Sequence, residues 1–360
     1  MNLIHIIPSN KWGGIQTYAL DICRHYKEAG WKVTALTRNA VGVDALFSEA
    51  GIELAHAPIG GLTDIASVMI LARRLSALPD GPTVIHVHRY RDAFSALAAR
   101  RLAKRNDVKI VSTRHTTRRG RNTFLFRKIY AGIDAHIFVS EMVYDCFRHS
   151  LNGDITLPPE KVNILHNSLN IKPLEYEPEP QRGPVIALYQ GSLVKGKGLE
   201  SLIDAIGMLK GIKLRLRISG MGDPDYLDML RRKAMQRDVM ESIDWNHKTA
   251  PSTEACIESH FGVSPSSEKE AFNLGCLRFM AAGRPQVATN NGAQKEYLTD
   301  GSTAIIVEPD DASALAEAMK RLASDAELRR RIGNEALREY DSRLSWNHFI
   351  KRLDNIYKMK

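Results

Sequence analysis

The chain has 360 residues, 44% hydrophobic and 25% charged. This is the ordinary globular balance, long enough for two domains at about 150 residues each, and it excludes a disordered chain. No apolar run approaches the ~18 residues of a membrane span. The opening segment lacks the basic start and apolar length of a signal peptide. Four scattered cysteines without a CxxC pair read as reduced thiols of a cytoplasmic chain, not as a disulfide frame or zinc site. The net charge of +9 lies in one half: residues 1–174 hold 23 Lys and Arg against 14 Asp and Glu, and residues 175–360 hold 27 against 27. A basic half points to a polyanionic partner: nucleic acid, an anionic membrane surface or a phosphorylated substrate.

In chain order, residues 3–8 read as a buried strand. A loop with Gly13 and Gly14 follows. Ile15, Ala19, Ile22 and Tyr26 then recur at helical spacing until Gly30 supplies a stop. Strands are predicted at 32–37, 83–88, 108–113 and 135–140, with helices between. The rhythm breaks at 171–180, where three prolines and three acids form a linker. It restarts with a strand at 185–190, a loop over 191–198 and a helix marked by Leu199, Leu202, Ile203 and Ile206. Leu214, Leu216 and Ile218 alternate with Arg215 and Arg217 in a strand, and 261–264, 286–289 and 304–307 follow. Residues 345–360 form one amphipathic helix. The expectation is an α/β chain of two doubly wound, parallel-sheet, Rossmann-like domains, 1–170 and 171–344, facing across a cleft. Ligands of such sheets sit beyond the carboxyl ends of the strands.

Several chemistries are excluded by their motifs. Gly13-Gly14 is not a dinucleotide fingerprint, and Gly220-Met221-Gly222 has Asp225 where the third glycine belongs. There is no P-loop, no H-E-x-x-H and no G-x-S-x-G. His86-Val87-His88 is a possible metal pair, but alternate strand residues share a face anyway, and no third ligand stands near in the sequence. No RRM, KH or helix-turn-helix pattern supports nucleic-acid binding. The stretch 114–128 holds six basic residues, two phenylalanines and no acid. It suits either a lipid-headgroup surface or a solvated basic face. Residues 264–289 read as strand, loop, helix, glycine stop, proline, strand. A helix opening near Leu274 would aim its backbone N–H groups at the loop, a ready site for a diphosphate. Glu270, just before it, can accept hydrogen bonds from sugar hydroxyls or simply complement the helix dipole.

That segment resembles the signature of family-4 retaining glycosyltransferases of GT-B fold: Pro265-Ser266, then Glu270-Ala271-Phe272-Asn273, then Arg278-Phe279-Met280-Ala281-Ala282-Gly283-Arg284-Pro285-Gln286-Val287-Ala288. Further matches run through Gly13-Gly14, Ile85–His88, Ser112–His115, Phe138–Ser140, 164–168, 190–198, Ser219–Gly222 and 290–296, which closes on Glu296. The helix from Ser345 resembles the one that crosses back onto the first domain. The resemblance implies metal-independent, hexosyl-type transfer with retention, from a nucleotide-diphosphate sugar to a glycan or lipid-linked acceptor of the cell envelope, and no cofactor. In it Lys197 would contact the diphosphate and Glu270 the sugar hydroxyls. His115 would face the sugar from the first domain, and Phe272, Asn273 and Leu274 would cradle phosphates and sugar with their backbone. Gly13 and Gly14 would let the chain approach the reacting centre. Apart from the resemblance, Arg118, Arg119 and Arg121 of the basic stretch would dock a peripheral enzyme on the inner face of an anionic membrane or meet the acceptor.

The pattern is broken in three places. Ser192 stands where the family has an arginine for phosphate. Arg278 replaces the second glutamate, which accepts from ribose hydroxyls; an arginine is a donor only. Ala271 and Asn273 replace glycines, which spares their backbone N–H. Two explanations follow: a rewired donor site in which Arg278 supplies the cation lost at Ser192, or a degraded site in a non-catalytic relative acting as a partner or scaffold.

Overall fold

The computed structural model describes residues 1–10, 13–79, 81–171, 180, 183–246 and 251–358. Most of the expected linker, 172–179, lies outside them. The chain divides into two compact units, Met1–Asn167 with Ile350–Lys360, and Ser168–Phe349.

The first unit is a parallel sheet of β1 (Asn2–Ile6), β2 (Lys32–Thr37), β3 (Glu53–His56), β4 (Thr83–Val87), β5 (Val108–Arg114), β6 (Ala135–Phe138) and β7 (Val162–Ile164), ordered β3-β2-β1-β4-β5-β6-β7. Its helices are α1 (Gly14–Glu28), α2 (Val41–Glu49), α3 (Ile65–Ala77), α4 (Tyr90–Leu102), α5 (Phe124–Gly132) and α6 (Glu141–Arg148). β1 and β4 are buried along their whole length, as central parallel strands covered on both faces must be. Side-chain caps fix three helix starts: Asp64 accepts from Ser67 N, Thr123 from Phe126 N and Ser140 from Val143 N. Gly30, at φ 81°, follows the end of α1 as the sequence implies.

The second unit is a parallel sheet of β8 (Val185–Gln190), β9 (Leu214–Ser219), β10 (Ile243–Asn246), β11 (Phe261–Ser264), β12 (Gln286–Thr289) and β13 (Ile305–Val307), ordered β10-β9-β8-β11-β12-β13. Its helices are α7 (Leu199–Met208), α8 (Pro224–Gln236), α9 (Thr253–Ile257), α10 (Leu274–Ala281), α11 (Ala312–Ser324) and α12 (Ala326–Glu339). One π turn, Tyr340–Leu344, separates α12 from the last helix, α13 (Trp346–Lys358). The core joins Leu199, Leu202, Ile203, Leu216, Ile218, Phe261 and Val287. The arginines that alternate along β9 are paired, Arg215 with Asp244 at 2.7 Å and Arg217 with Glu258 at 3.3 Å.

From Ile350 onward the chain counts with the first unit. There Leu353, Ile356 and Tyr357 are buried, and Tyr26 donates to Asp354 at 2.8 Å. In both sheets strand order reverses beside the first strand, between β1 and β4 and between β8 and β11. Crevices at such reversals, beyond the carboxyl ends of the strands, are where open α/β sheets bind ligands. Among the described residues no helix is long and apolar enough to cross a membrane.

Candidate functional site

In the first unit Gly13 stands just before α1 and Gly14 is the first residue of that helix. Gly13 is the extended residue that opens α1, and Thr17 Oγ1 donates to its carbonyl at 3.3 Å. A Cβ on Gly14 would meet nothing within 4 Å, and one on Gly13 only the Gln16 amide oxygen at 3.4 Å. The fold itself therefore does not demand glycine at either position.

His115 follows β5 and is one of four histidines gathered beneath α1. His5 Nδ1 lies 3.2 Å from His88 Nε2, and His88 Nδ1 lies 3.2 Å from His115 Nε2. His86 bonds Thr113 Oγ1 at 2.7 Å and the Tyr357 hydroxyl at 2.6 Å. Tyr18 stands edge-on over His86, His88 and His115. The pair at 86 and 88 thus does have histidine neighbours, which the sequence spacing hides because they arrive from β1 and from the loop after β5. The ring nitrogens of His5, His88 and His115 point at one another and those of His86 at Thr113 and Tyr357, and among the described residues no group of His, Cys, Asp or Glu is arranged to hold a metal ion. Burial pushes His5 and His115 down to about 3 and holds His86 and His88 well below the ordinary imidazole range. His115 is therefore a neutral hydrogen-bonding group at pH 7, not a cation.

The basic stretch divides into an inner and an outer part. Arg114 turns inward over the rings of Tyr90 at 5.8 Å and Phe147 at 5.1 Å, and its guanidinium donates to the Arg118 carbonyl. Phe126 is also buried, against Tyr130. Only part of the expected surface is therefore outward: Arg118, Arg119, Arg121, Arg127 and Lys128 are exposed. Phe124 is 67% exposed with Lys128 Nζ 4.4 Å from its ring centroid. The Asn122 amide donates to the carbonyls of Asn152, Gly153 and Asp154, holding beside the patch a loop whose Leu151 is 84% exposed. Leu151 adds an apolar side chain that the basic run alone does not suggest.

In the second unit three loops meet at the carboxyl ends of β8, β11 and β12. Gly198, at φ 71°, passes so close to the next loop that a Cβ would stand 1.7 Å from the Pro265 carbonyl oxygen. At Gly220, φ 148°, a Cβ would stand 1.8 Å from the Gly191 carbonyl oxygen. No other residue fits either place. Ser267 N and Glu268 N both donate to the Gly196 carbonyl, at 3.0 and 3.1 Å. Asn291 Nδ2 ties down the carbonyls of Ser266 and Glu268, at 2.6 and 2.9 Å. The result is a backbone cradle made before any ligand arrives.

Lys197 Nζ reaches across that cradle to Glu270 Oε1 at 2.8 Å, with the glutamate side chain 11% exposed. The two residues expected on diphosphate and sugar are therefore each other's partners. Beside them α10 begins. Asn273 caps it, its amide oxygen accepting from Cys276 N at 3.1 Å. The Asn273 N–H is not left for a ligand: it donates to the Tyr297 hydroxyl at 3.3 Å, while the Tyr297 ring packs 4.8 Å from that of Phe272. Leu274 and Gly275 supply the next N–H groups of this first turn. Tyr297 is a site residue that the sequence pattern does not announce.

Ser192 is exposed, and its carbonyl accepts from the Tyr189 hydroxyl at 2.9 Å. Arg278 lies in the middle of α10; the Cys256 thiol, pushed up by burial, accepts from the Gln190 amide at the end of β8. Glu296 is half-buried and its carbonyl accepts from Arg343 at 2.9 Å.

Two family models match the chain in succession. Residues 12–172 match the model of Glycosyltransferase Family 4, and residues 175–339 match that of Glycosyl transferases group 1. A glycogen synthase of Mycobacterium tuberculosis is 26% identical over 77% of this chain and 68% of its own. A phosphatidyl-myo-inositol mannosyltransferase of Mycobacterium leprae is 25% identical over 96% of this chain and 93% of its own. The crystal structure of Anabaena HepE with UDP and glucose superposes with a TM-score of 0.78 over 99% of this chain and 98% of that one, at 15% identity. With two parallel Rossmann-like units and two adjoining models that together take in nearly all of its residues, the chain belongs to the family-4, group 1 glycosyltransferases of GT-B fold.

Proposed function

We propose that this protein transfers a hexose-type sugar, with retention, from a nucleotide-diphosphate sugar to a glycan or lipid-linked acceptor in cell-envelope polysaccharide or lipopolysaccharide synthesis. The observation that carries the reading is the Lys197–Glu270 pair set in the backbone cradle beside the start of α10. An incoming diphosphate offers Lys197 more negative charge than one carboxylate, so the ammonium turns to phosphate and Glu270 is released to accept from sugar hydroxyls. The C1–O bond to the diphosphate breaks as the acceptor oxygen bonds to C1 on the same face, and the departing phosphate oxygen takes the acceptor's proton. Lys197 and the first-turn N–H groups of α10 stabilise the charge that grows on the diphosphate. The step uses no metal ion, and His115 contributes a neutral hydrogen bond that does not oppose positive charge at C1.

The departures at 192 and 278 fit a rewired site. Tyr189 and Leu193 hold the 191–193 loop through backbone atoms, so the loop keeps its shape without the arginine. In that reading Arg278, within α10, supplies the cation lost at 192. A melting screen against UDP, GDP, ADP and CMP with their sugar conjugates tests the reading. One nucleotide should raise the melting temperature, since ligand at a hundred times its Kd adds ~2.7 kcal/mol. Arg278→Glu should abolish that shift in a rewired site; tighter binding of an ordinary nucleotide sugar by the variant would mark a degraded one.

The exposed patch of Arg118, Arg119, Arg121, Phe124, Lys128 and Leu151 supports peripheral docking of a cytoplasmic enzyme on an anionic membrane. Co-sedimentation with phosphatidylglycerol vesicles should drop sharply when the three arginines become serine; unchanged binding removes the docking role.

A further inference from the structure

His5, His88 and His115 form a line in which each contact joins Nδ1 of one ring to Nε2 of the next. All three rings are neutral, so each has one N–H and one lone pair, and each contact needs one of either kind. The three tautomers are therefore locked together: choosing one ring chooses all. Only two assignments exist. In one, every Nδ1 carries the hydrogen; in the other, every Nε2 does. The inner end of the line decides between them. His5 is fully buried in β1, and its Nε2 has no hydrogen-bond partner. A buried N–H left unpaired is rarer in proteins than an under-satisfied acceptor, so the lone pair belongs there.

We propose that His88 and His5 are positioning residues that fix His115 as its Nδ1–H tautomer, so that the ring presents a hydrogen-bond donor and selects a sugar oxygen as its partner. His5 Nδ1–H then donates to His88 Nε2, and His88 Nδ1–H to His115 Nε2, while no described residue bonds the His115 Nδ1. The inference rests on His115 facing substrate. The hydroxyls around the line leave it undisturbed, because Thr113 and Tyr357 bond His86 instead. Tyr18 stands edge-on to His88 and His115, the outer two rings of the line, and bonds Thr113 at 3.4 Å.

Two-bond nitrogen–proton correlation on protein labelled with ¹⁵N-histidine reads which ring nitrogen carries hydrogen. The wild type should show His115 with a protonated Nδ1 and a bare Nε2. His88→Leu removes the donor to Nε2 and should convert His115 to the Nε2–H form that free histidine favours in water. The same variant should lower kcat/KM for transfer roughly five- to tenfold, the loss of one neutral hydrogen bond. His88→Asn, whose amide N–H can stand near the place of Nδ1–H, should restore both. A protonated Nε2 on wild-type His115, measured without any variant, overturns the proposal, as does an unaltered His115 spectrum in His88→Leu. Because the rings are read without substrate, the expected spectrum in a protein that transfers no sugar would count against the transferase reading and leave the ring assignment standing.

Discussion

The first unit keeps four neutral histidines with their rings packed together, three of them bonded in a line and His86 bonded to Thr113 and Tyr357. The second keeps an ion pair, Lys197 with Glu270, between loops tied together through the Gly196, Ser266 and Glu268 carbonyls. The two units share a parallel sheet with a reversed strand order, so the fold does not dictate the difference. It follows from what each set of loops carries. Neutral rings hold direction without charge and suit hydroxyls. A paired cation and anion can exchange partners when a stronger charge arrives and suit a diphosphate.

Acid should separate the units most strongly. Desolvation pushes buried His5 and half-buried His115 down to about 3 and His136 to about 4, against 6.5 for the ordinary imidazole. Below pH ~6.5 the unfolded first unit binds more protons than the folded one. The stabilisation is therefore complete above that pH and declines as pH falls toward 3 to 4, at ~1.4 kcal/mol per pH unit for each histidine that must charge. Hydrogen exchange should show β1, β4 and β5 losing protection at a higher pH than β8 and β11; simultaneous loss would erase the contrast.

Next in size, Lys197→Met should weaken nucleotide-diphosphate binding by roughly 10- to 100-fold, one charge-assisted bond to phosphate. Glu270→Gln should do the opposite in calorimetry. It frees the ammonium and binds the nucleotide diphosphate no more weakly than wild type, while transfer falls. Equal losses of binding in both variants would show that the pair acts as a unit and does not exchange.

The glycines give a smaller and sharper test. Gly198→Ala puts a Cβ into the Pro265 carbonyl at positive φ and should cost about 1–3 kcal/mol in denaturant melts. Gly14→Ala meets open space at the start of α1 and should stabilise by about 0.4–1 kcal/mol. If Gly14 lets the chain approach substrate, the same change lowers kcat/KM in a protein that melts no earlier.

Central strands were the legible part of the fold. β2, β8, β11 and β12 span the residues expected of them, because a strand flanked on both sides in a covered parallel sheet is mostly buried and reads as a largely apolar run. β3, β7 and β10 lie at sheet edges and are only partly buried, so their composition carries no such mark. Lys197 and Glu270 could be named from motif, but not their pairing, since it joins loops 73 positions apart. Tyr297 and His5 were invisible for a related reason: each looks like one more core residue until topology brings it to the site. Arg114 shows the converse, a basic residue in a basic run that the rings of Tyr90 and Phe147 draw inward.

The bonds from Tyr26 to Asp354 and from His86 to Tyr357 set an order of events during synthesis. The second unit is one continuous stretch of chain, whereas the first needs residues from 350 onward. A ribosome adding ~5–20 residues per second has therefore presented every strand of the first sheet well before it delivers Tyr357. In that interval the apolar surface around His86 has no cover from the last helix, and a chaperone that shields nascent chains would find its binding site there, in the half of the protein made first and finished last.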